Sequence, residues 1–444
     1  MPKKAETKTQ IPKQNYVPPA SYDQWMVGKA EHYWKVLGPG LTTGAADDDP
    51  SGIATYSQAG SQFGFRFLWL SLFTFPLMGV VQEMCARIGL VTGQGLAANI
   101  KHHYPRWVLM LCAGLLFIAN SFNIGADLGA MAQAVQLIVP QAPFTLLVIG
   151  FSLLILFLLI MMPYGKYARY LKWLTIALLS YVFAALMVHL PWSQVLRGTF
   201  LPAMSFSREQ IFLVTAILGT TISPYLFFWQ TSQEVEEEIL AGRKTIKSRK
   251  LTSLQEIKDM RTDVWSGMFV SNVVMFFIIA ACAATLFAHG ITDIKTAKDA
   301  AEALRPFAGN AATWLFAIGI IGTGLLAVPI LAGSASYAIS ESFGWKEGLY
   351  RKLKQAWAFY GVIIISMLAG LIMNFVGLDP IKGLIYAAIL NALVAPIVLF
   401  LIVRLSSKPK IMGEYVNGGW SKTFGWIVVV VMTVAGLATI ISII

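Results

Sequence analysis

Three consecutive carboxylates, Asp47, Asp48 and Asp49, lie inside an uncharged apolar stretch of membrane-spanning length and directly precede Pro50. Ionised carboxylates at bilayer depth are costly, and they are retained mainly where they line a water-filled path or bind a cation. Proline cannot donate a backbone hydrogen bond and aspartate is a favourable N-cap, so we expect a half-helix to begin at Pro50 with Asp49 at its tip. The preceding half-helix would leave carbonyls unpaired up to Ala46. This pattern predicts a cation site built from oxygen ligands.

A second apolar stretch is interrupted in the same way, at Ser223-Pro224-Tyr225. Both interruptions follow a glycine and a pair of threonines: Gly40, Thr42 and Thr43 in the first stretch, Gly219, Thr220 and Thr221 in the second. Interrupted helices at corresponding positions of two halves are typical of transporters with inverted repeats. A simple proline kink is the alternative for Pro224 taken alone. If the two breaks face each other, Pro224 frees the carbonyl of Thr220, while Ser223 and Tyr225 add hydroxyl groups.

Neither interruption contains His, Cys or Met. An oxygen-only set of ligands favours Mg²⁺, Ca²⁺ or Mn²⁺ over Zn²⁺, Cu⁺ or Cd²⁺. Three adjacent acids repel one another, so we expect Asp47 and Asp48 to steer and hydrate the ion while Asp49 ligates it.

Six further polar residues lie in apolar stretches and leave alternatives open. Asp127 could serve an ion or proton path, or a structural hydrogen bond. Asn272 and Asn391 could join helices to one another or contact the ion from an outer shell. Gln82 precedes Glu83, which pairs with Arg87 at i,i+4, and we interpret this group as structural or gating.

The composition predicts the elements that must position these residues. The chain of 444 residues is 56% hydrophobic and 13% charged, whereas soluble domains carry about 25% charged residues. Apolar stretches of about 20 residues recur throughout, which indicates an all-α integral membrane protein. We predict about eleven transmembrane helices, at residues 38–62, 67–91, 107–138, 143–163, 170–190, 210–232, 264–288, 310–340, 357–377, 381–403 and 422–444.

The net charge is +11, and the basic residues lie mainly in alternate connecting segments. This distribution follows the positive-inside rule of membrane proteins and does not indicate nucleic acid as a partner. The N-terminus is then cytoplasmic and, with an odd number of spans, the C-terminus extracellular. We divide the chain into five parts: a flexible cytoplasmic tail (1–37), a first five-helix repeat (38–190), an extracellular loop (191–208), a second repeat with a solvated cytoplasmic polar loop at 234–263 (209–404), and a loop with the eleventh helix (405–444).

Several motifs together resemble the Nramp (natural resistance-associated macrophage protein) family of divalent-metal transporters. The family pattern GPGL…DPGN corresponds to residues 38–41 and 49–52, and further matches lie at residues 82–93, 126–128 and 315–333. The resemblance implies a LeuT-type fold with two inverted five-helix repeats and broken helices 1 and 6. It also implies a transporter and not an enzyme, with no cofactor, in which Asp49 is the metal-binding aspartate.

The departures from the family pattern concern the ion site itself. Gly52 replaces the asparagine of DPGN, Ser223 the methionine of the sixth-span MPH, and Tyr225 its histidine. Gln230 stands where the family has a second histidine, and the third-span acids associated with proton transport appear as Asn120 and Ala130. This pattern resembles the Nramp-related magnesium transporters. It predicts a roomy site for partly hydrated Mg²⁺, with Mn²⁺ as a further substrate, and transport without proton coupling.

We therefore expect Asp49, Gly52, Thr220 and Ser223 to form the metal site. Outer contacts would come from Asp47, Asp48, Ala46, Tyr225, Asn391 and Asn272, and proton or gating roles would fall to Asp127, Gln82 and Gln230. The rival functions are a proton-coupled Mn²⁺/Fe²⁺ symporter, a carrier of trivalent ions, and a receptor or scaffold that transports nothing. An intramembrane metalloenzyme would need a motif such as HExxH, and the sequence has none. We expect a monomer in the cell membrane.

Overall fold

Helices make up nearly all of the regular structure in the computed structural model, which describes residues 31–205, 207–294, 296–376 and 380–443. Within these ranges there is no β-strand. Residues 31–36 are helical and belong to a separate unit from Leu37–Ile444. Most of the predicted cytoplasmic tail, residues 1–30, lies outside the described residues.

The first half of the chain consists of helices separated by short turns. They are α1 (Pro39–Asp47), α2 (Pro50–Phe63), α3 (Leu68–Thr92), α4 (Leu96–His103), α5 (Arg106–Ile138), α6 (Phe144–Met161), α7 (Tyr164–Leu174), α8 (Leu179–Leu186) and α9 (Trp192–Phe200). A 3₁₀ segment, Thr175–Leu178, joins α7 to α8, so these two helices form one span. Helix α9 lies within the predicted extracellular loop 191–208.

The second half begins with another pair of short helices and continues with longer ones. They are α10 (Arg208–Thr221), α11 (Pro224–Leu240), α12 (Ile246–Arg249), α13 (Leu254–Thr285), α14 (Ala297–Phe343), α15 (Trp357–Met373), α16 (Pro380–Ser406), α17 (Pro409–Met412) and α18 (Gly419–Ile443). Helix α14 is kinked at Gly309, where φ is 77°.

The helices account for the eleven predicted spans. Eight stretches of the described residues are long and apolar enough to cross a membrane, and two shorter apolar helices, Trp357–Met373 and Val394–Ser406, accompany them. One of the eight, Pro50–Thr92, has 43 residues and holds two spans, because the chain turns at Gly64 with φ 60°. The all-helical fold is thus confirmed.

Both predicted interruptions are real breaks between half-helices. Helix α1 ends before Asp48 (φ −86°, ψ 48°) and α10 ends before Ile222 (φ −112°, ψ 54°), conformations outside the α-region. Asp49 and Ser223 are extended, and a proline then occupies the first position of α2 and of α11. Because Pro50 and Pro224 lack an N–H, each starts a new helix where the previous one stops.

The first break is positioned by close packing of α1 against α13. A Cβ atom on Gly44 would lie only 2.3 Å from the carbonyl oxygen of Gly267, so the two backbones touch at a point where no side chain fits. At the start of α1, the carboxylate of Asp263 accepts hydrogen bonds from the N–H groups of Gly38 (2.7 Å), Gly40 (2.6 Å) and Leu41 (2.9 Å). Asp263 thus supplies the N-cap that α1 lacks within its own sequence.

The charge pattern of segment 234–263 predicts a solvated helical extension and loop. The helical extension is present, but several of its glutamates are not solvated. Helix α11 continues to Leu240 and α13 begins at Leu254, so both ends of the segment are helical. Glu234, Glu236 and Glu238 are buried. Glu236 accepts hydrogen bonds from the Tyr337 hydroxyl and from the N–H of Leu349, contacts that a local charge pattern does not reveal.

Candidate metal-ion site

Asp49 lies at the first break as the N-cap of α2. Its Oδ1 accepts hydrogen bonds from the Ser51 hydroxyl (2.6 Å) and the Gly52 N–H (2.7 Å). Both bonds end on the same oxygen, so Oδ2 is the freer atom for a ligand. The side chain is only 2% exposed. A buried carboxylate at a helix N-terminus is held rigidly and benefits from the helix dipole.

A cavity of about 60 Å³ borders this carboxylate. Its walls come from α2, α5, α10, the second break and α16. The lining residues are Asp49, Ser51, Thr55, Asn123, Ala216, Gly219, Thr220, Ser223 and Asn391. A water needs about 10–15 Å³ measured in this way, so the cavity has room for several waters or for an ion with part of its hydration shell.

Asp49 is the one ionisable residue among those that line the cavity, and the other polar groups are hydroxyls and amides. Across the described ranges, no group of three or more His, Cys, Asp or Glu residues is arranged to hold a metal ion. The acidic triplet is therefore not a three-carboxylate cage. A cation beside Asp49 would complete its coordination with neutral oxygens and water.

Gly52 keeps the space between the two breaks open. A Cβ atom at this position would lie 3.1 Å from the carbonyl oxygen of Asp47, 3.2 Å from Oγ1 of Thr220 and 3.4 Å from Oδ1 of Asp49. Any larger side chain would enter the gap beside the carboxylate. This geometry agrees with the prediction that Gly52 contributes room and not a ligand atom.

The second break does not leave the carbonyl of Thr220 free, contrary to the sequence prediction. The Ser223 hydroxyl donates to the carbonyl oxygens of Gly219 (2.7 Å) and Thr220 (2.9 Å). Serine side chains readily bond back to the preceding turn, and here the serine compensates for the N–H that Pro224 lacks. The Ser223 oxygen keeps its lone pairs, so it can still face an ion as a neutral ligand.

Tyr225 joins the two breaks directly. Its hydroxyl donates to the carbonyl oxygen of Ala46 at 2.9 Å, and the ring is 1% exposed. The carbonyl of Ala46, predicted to be unpaired, therefore has a partner from the opposite repeat. The tyrosine that replaces the family histidine holds the end of α1 against α11.

Asp47 and Asp48 are not among the residues that line the cavity beside Asp49. They lie instead toward α13, where the Ser271 hydroxyl donates to Oδ2 of Asp47 at 3.0 Å. Both residues are 0% exposed. Both acids interact electrostatically with Asp49, and their outer-shell role stays a prediction.

The two asparagines of the predicted outer shell have different surroundings. Asn391 lines the cavity, and its Oδ1 is buried without a hydrogen-bond partner in the described structure. Asn272 is turned toward α3, where its Oδ1 accepts from the Thr74 hydroxyl (2.7 Å) and its amide donates to Met268 (2.8 Å). Asn391 therefore stays a candidate for the site, whereas Asn272 links two helices.

The three candidates for proton or gating roles lie outside the cavity wall. Asp127 on α5 is 0% exposed, and its carboxylate oxygens have no hydrogen-bond partner among the described residues. The amide of Gln230 donates to Glu234 at 2.9 Å. The side-chain oxygen of Gln82 is buried without a partner in the described ranges. Asp127 is close enough to Asp49 to interact with it electrostatically.

Three residues of the cavity wall, Ser51, Thr55 and Asn123, were missed as site residues by sequence reasoning. Thr55 lies three residues after Gly52, one turn along the same face of α2, and Asn123 lies four residues before Asp127 on α5. This spacing was a usable signal for Thr55 and Asn123, because it places each beside a residue already suspected.

Comparison with known proteins is consistent with this geometry. The family profile described as "Natural resistance-associated macrophage protein-like" (Nramp) matches residues 40–442. The chain is 26% identical over 411 residues to the divalent metal cation transporter MntH of Klebsiella pneumoniae (strain 342), covering 89% of this chain and 91% of that protein. The family match spans both breaks.

Solved structures show the same fold at low identity. A manganese transporter of Eremococcus coleocola, crystallised with an aromatic bis-isothiourea compound, superposes with a TM-score of 0.74 at 18% identity, covering 95% of this chain and 88% of that one. The nucleobase-cation-symport-1 family transporter MHP1 superposes with a TM-score of 0.56 at 14% identity, covering 91% of each chain. The chain therefore belongs to the Nramp family of divalent-metal transporters and is a multi-pass membrane transporter, not an enzyme.

Proposed function

We propose that this protein carries Mg²⁺, and also Mn²⁺, into the cytoplasm by alternating access and without proton coupling. The observation that carries the proposal is the cavity beside Asp49, which offers one carboxylate and otherwise hydroxyl and amide oxygens. Mg²⁺ sheds water reluctantly and is usually bound through one or two carboxylates with several waters retained. A single anchoring carboxylate with space for water suits that ion.

The site lacks the groups that favour softer ions. Ser223 occupies the position of the family methionine, so no thioether faces Asp49, and no sulfur or imidazole lines the cavity within the described residues. Thioether and imidazole ligands select for later transition metals. The relatives named as manganese or divalent-cation transporters support a divalent substrate, and the oxygen-only lining supports extending it to Mg²⁺.

Proton coupling would need acids that this chain has replaced. Asn120 stands at one such position, and its amide donates to the Leu331 carbonyl (2.8 Å) and the Ser334 hydroxyl (3.0 Å). It therefore joins α5 to α14 and cannot exchange a proton. The membrane potential alone can drive uptake, because a divalent ion gains roughly 4–5 kcal/mol per 100 mV.

A second candidate, proton-coupled symport of Mn²⁺ or Fe²⁺, has one specific observation in its favour. Asp127 is fully buried, and it lies near Asp49 and the backbone of Ser51. Intramembrane acids of this kind occur in proton relays. We propose the uncoupled mechanism because the other family acids on α5 are replaced, by Asn120 and Ala130, and Asp127 alone is retained.

Purified protein in liposomes of defined internal pH tests both alternatives. We expect Mg²⁺ uptake that rises with an inside-negative potential, is competed by Mn²⁺, and leaves the internal pH unchanged. Asp49→Ala is the inactive control. Internal acidification in step with Mg²⁺ uptake would reject the uncoupled mechanism, and Mn²⁺ uptake that excess Mg²⁺ fails to reduce would reject the proposed substrate.

The proposal also includes the orientation in the cell membrane. The distribution of basic residues places the N-terminus in the cytoplasm and the C-terminus outside. A single chain supplies all the residues that line the cavity, and we therefore propose a functional monomer.

A further inference from the structure

Asp47 and Asp48 form a buried acidic pair that the proposed Asp49 site does not use. Both side chains are 0% exposed. Of their four carboxylate oxygens, only Oδ2 of Asp47 accepts a hydrogen bond from a described residue, Ser271, while the other three have no partner within those ranges. Buried carboxylate oxygens left without partners are strongly unfavourable unless an ion or water completes them.

One tyrosine hydroxyl points to a ligand in the same place. Tyr56 on α2 is 0% exposed. Its hydroxyl has no hydrogen-bond partner in the described part of the chain. Tyr56 interacts electrostatically with Asp47, Asp48 and Asp49, so its side chain lies near the pair. This unused oxygen is a second observation, independent of the acids.

No basic side chain compensates the pair. Among the described residues, no Lys, Arg or His lies within ion-pair distance of Asp47 or Asp48. The Ser271 hydroxyl lies beside both carboxylates, so they share one neighbour on α13. Two adjacent carboxylates without a protein cation match the charge of one divalent ion.

We propose that Asp47 and Asp48 form a second divalent-cation site, separate from the Asp49 cavity, with Ser271 and Tyr56 contributing neutral oxygens. The proposal rests on the proposed function, because the ion would reach this pair from Asp49. In the orientation proposed above, α1 runs from the cytoplasmic side to the break. An ion that leaves Asp49 toward the cytoplasm would therefore meet the Asp47–Asp48 pair next.

The two sites should differ in how much water the ion keeps. The Asp49 cavity has room for waters, whereas the Asp47–Asp48 pair is enclosed by protein and provides two carboxylates. Mn²⁺ loses water more readily than Mg²⁺, which demands near-ideal octahedral geometry. The second site should therefore retain Mn²⁺ more tightly than Mg²⁺, so Mn²⁺ is the suitable probe.

Equilibrium binding of Mn²⁺ to the full-length protein in detergent, read from the electron paramagnetic resonance signal of free Mn²⁺, tests the proposal. We expect two ions per chain in the wild type and one in Asp47→Asn, in Asp48→Asn and in Asp49→Asn. Ser271→Ala leaves both acids in place and should weaken only one of the two sites, by about tenfold. Glu414→Gln, which changes an exposed acid, should bind two ions and is the matched control.

The outcomes separate this proposal from the proposed function. One Mn²⁺ per chain in the wild type, unchanged in Asp47→Asn and Asp48→Asn, overturns the second site even if liposome uptake is normal. Sodium-dependent uptake together with a single bound Mn²⁺ also overturns it, because the pair would then hold a monovalent ion. Two bound ions without any uptake would instead reject transport. Elution of every variant as a monodisperse peak guards against misfolding.

Discussion

Replacing Asp49 by asparagine should remove most transport while leaving the fold intact. The asparagine oxygen can still accept the hydrogen bonds that Oδ1 receives from Ser51 and Gly52, so the cap of α2 is retained. What is lost is the charge on the oxygen that borders the cavity. At about 4 Å and an effective dielectric constant of about 20, a carboxylate attracts a divalent ion by roughly 8 kcal/mol.

Much of that attraction is offset, because the ion gives up hydration in order to bind. Removing one partner of a buried ion pair costs about 3–5 kcal/mol. We therefore expect Mg²⁺ affinity to fall by about 100- to 4,000-fold, since each tenfold change corresponds to about 1.4 kcal/mol. A titration of Mg²⁺ uptake in liposomes measures the change, and the melting temperature should stay close to that of the wild type.

The matched control is Ser51→Ala, which removes one hydrogen bond to the same carboxylate without changing its charge. It should reduce affinity by about 10- to 100-fold at most, because a single hydrogen bond to a charged group contributes about 1.5–3 kcal/mol. Near-normal uptake by Asp49→Asn would refute the assignment of Asp49 as the anchoring ligand. A loss in Ser51→Ala as large as that in Asp49→Asn would show that the geometry of the cap matters more than the charge.

Three further substitutions test the surroundings of the site. Tyr225→Phe removes the hydroxyl bound to the Ala46 carbonyl and should lower the free energy of unfolding by about 1–2 kcal/mol. Mn²⁺ binding should tighten, because that carbonyl becomes available to the ion. Thermal unfolding and Mn²⁺ titration measure the two effects, and weaker Mn²⁺ binding would contradict the reasoning. Ser223→Met adds a soft ligand and should shift competition for uptake from Mg²⁺ toward Mn²⁺ and Cd²⁺; unchanged competition by Cd²⁺ would argue against a ligand position there. Asp263→Ala leaves three N–H groups at the start of α1 without their acceptor and should lower the melting temperature. A melting temperature equal to that of the wild type would mean that water replaces the carboxylate as acceptor.

The breaks in the membrane helices could be predicted because proline acts locally. Pro50 and Pro224 lack the N–H that continues a helix, and this holds whatever the rest of the chain does. The same is true of Asp49, whose role as an N-cap depends on residues two and three positions away. The eleven spans follow equally from local hydrophobicity over about 20 residues.

The partners of the freed carbonyls could not be predicted, because they come from elsewhere in the fold. The Ala46 carbonyl receives the hydroxyl of Tyr225, which is 179 residues away in sequence. The buried Glu236 is satisfied by backbone groups beyond α14, more than 100 residues later. Unpaired groups at helix ends can be counted from sequence, but the side chain that reaches each one depends on how helices pack.

These unexpected hydrogen bonds sharpen the argument about substrate. If the carbonyls at both breaks were free, they could replace several waters around an ion and the site would suit a dehydrated cation. Instead, Tyr225 binds the carbonyl of Ala46, and Ser223 binds that of Thr220. These two carbonyl oxygens are therefore not available as ligands, and Asp49 is accompanied by hydroxyls, amides and room for water. An ion that keeps most of its hydration shell loses little binding energy through the missing carbonyls. Mg²⁺ is the divalent ion that gives up its water most reluctantly.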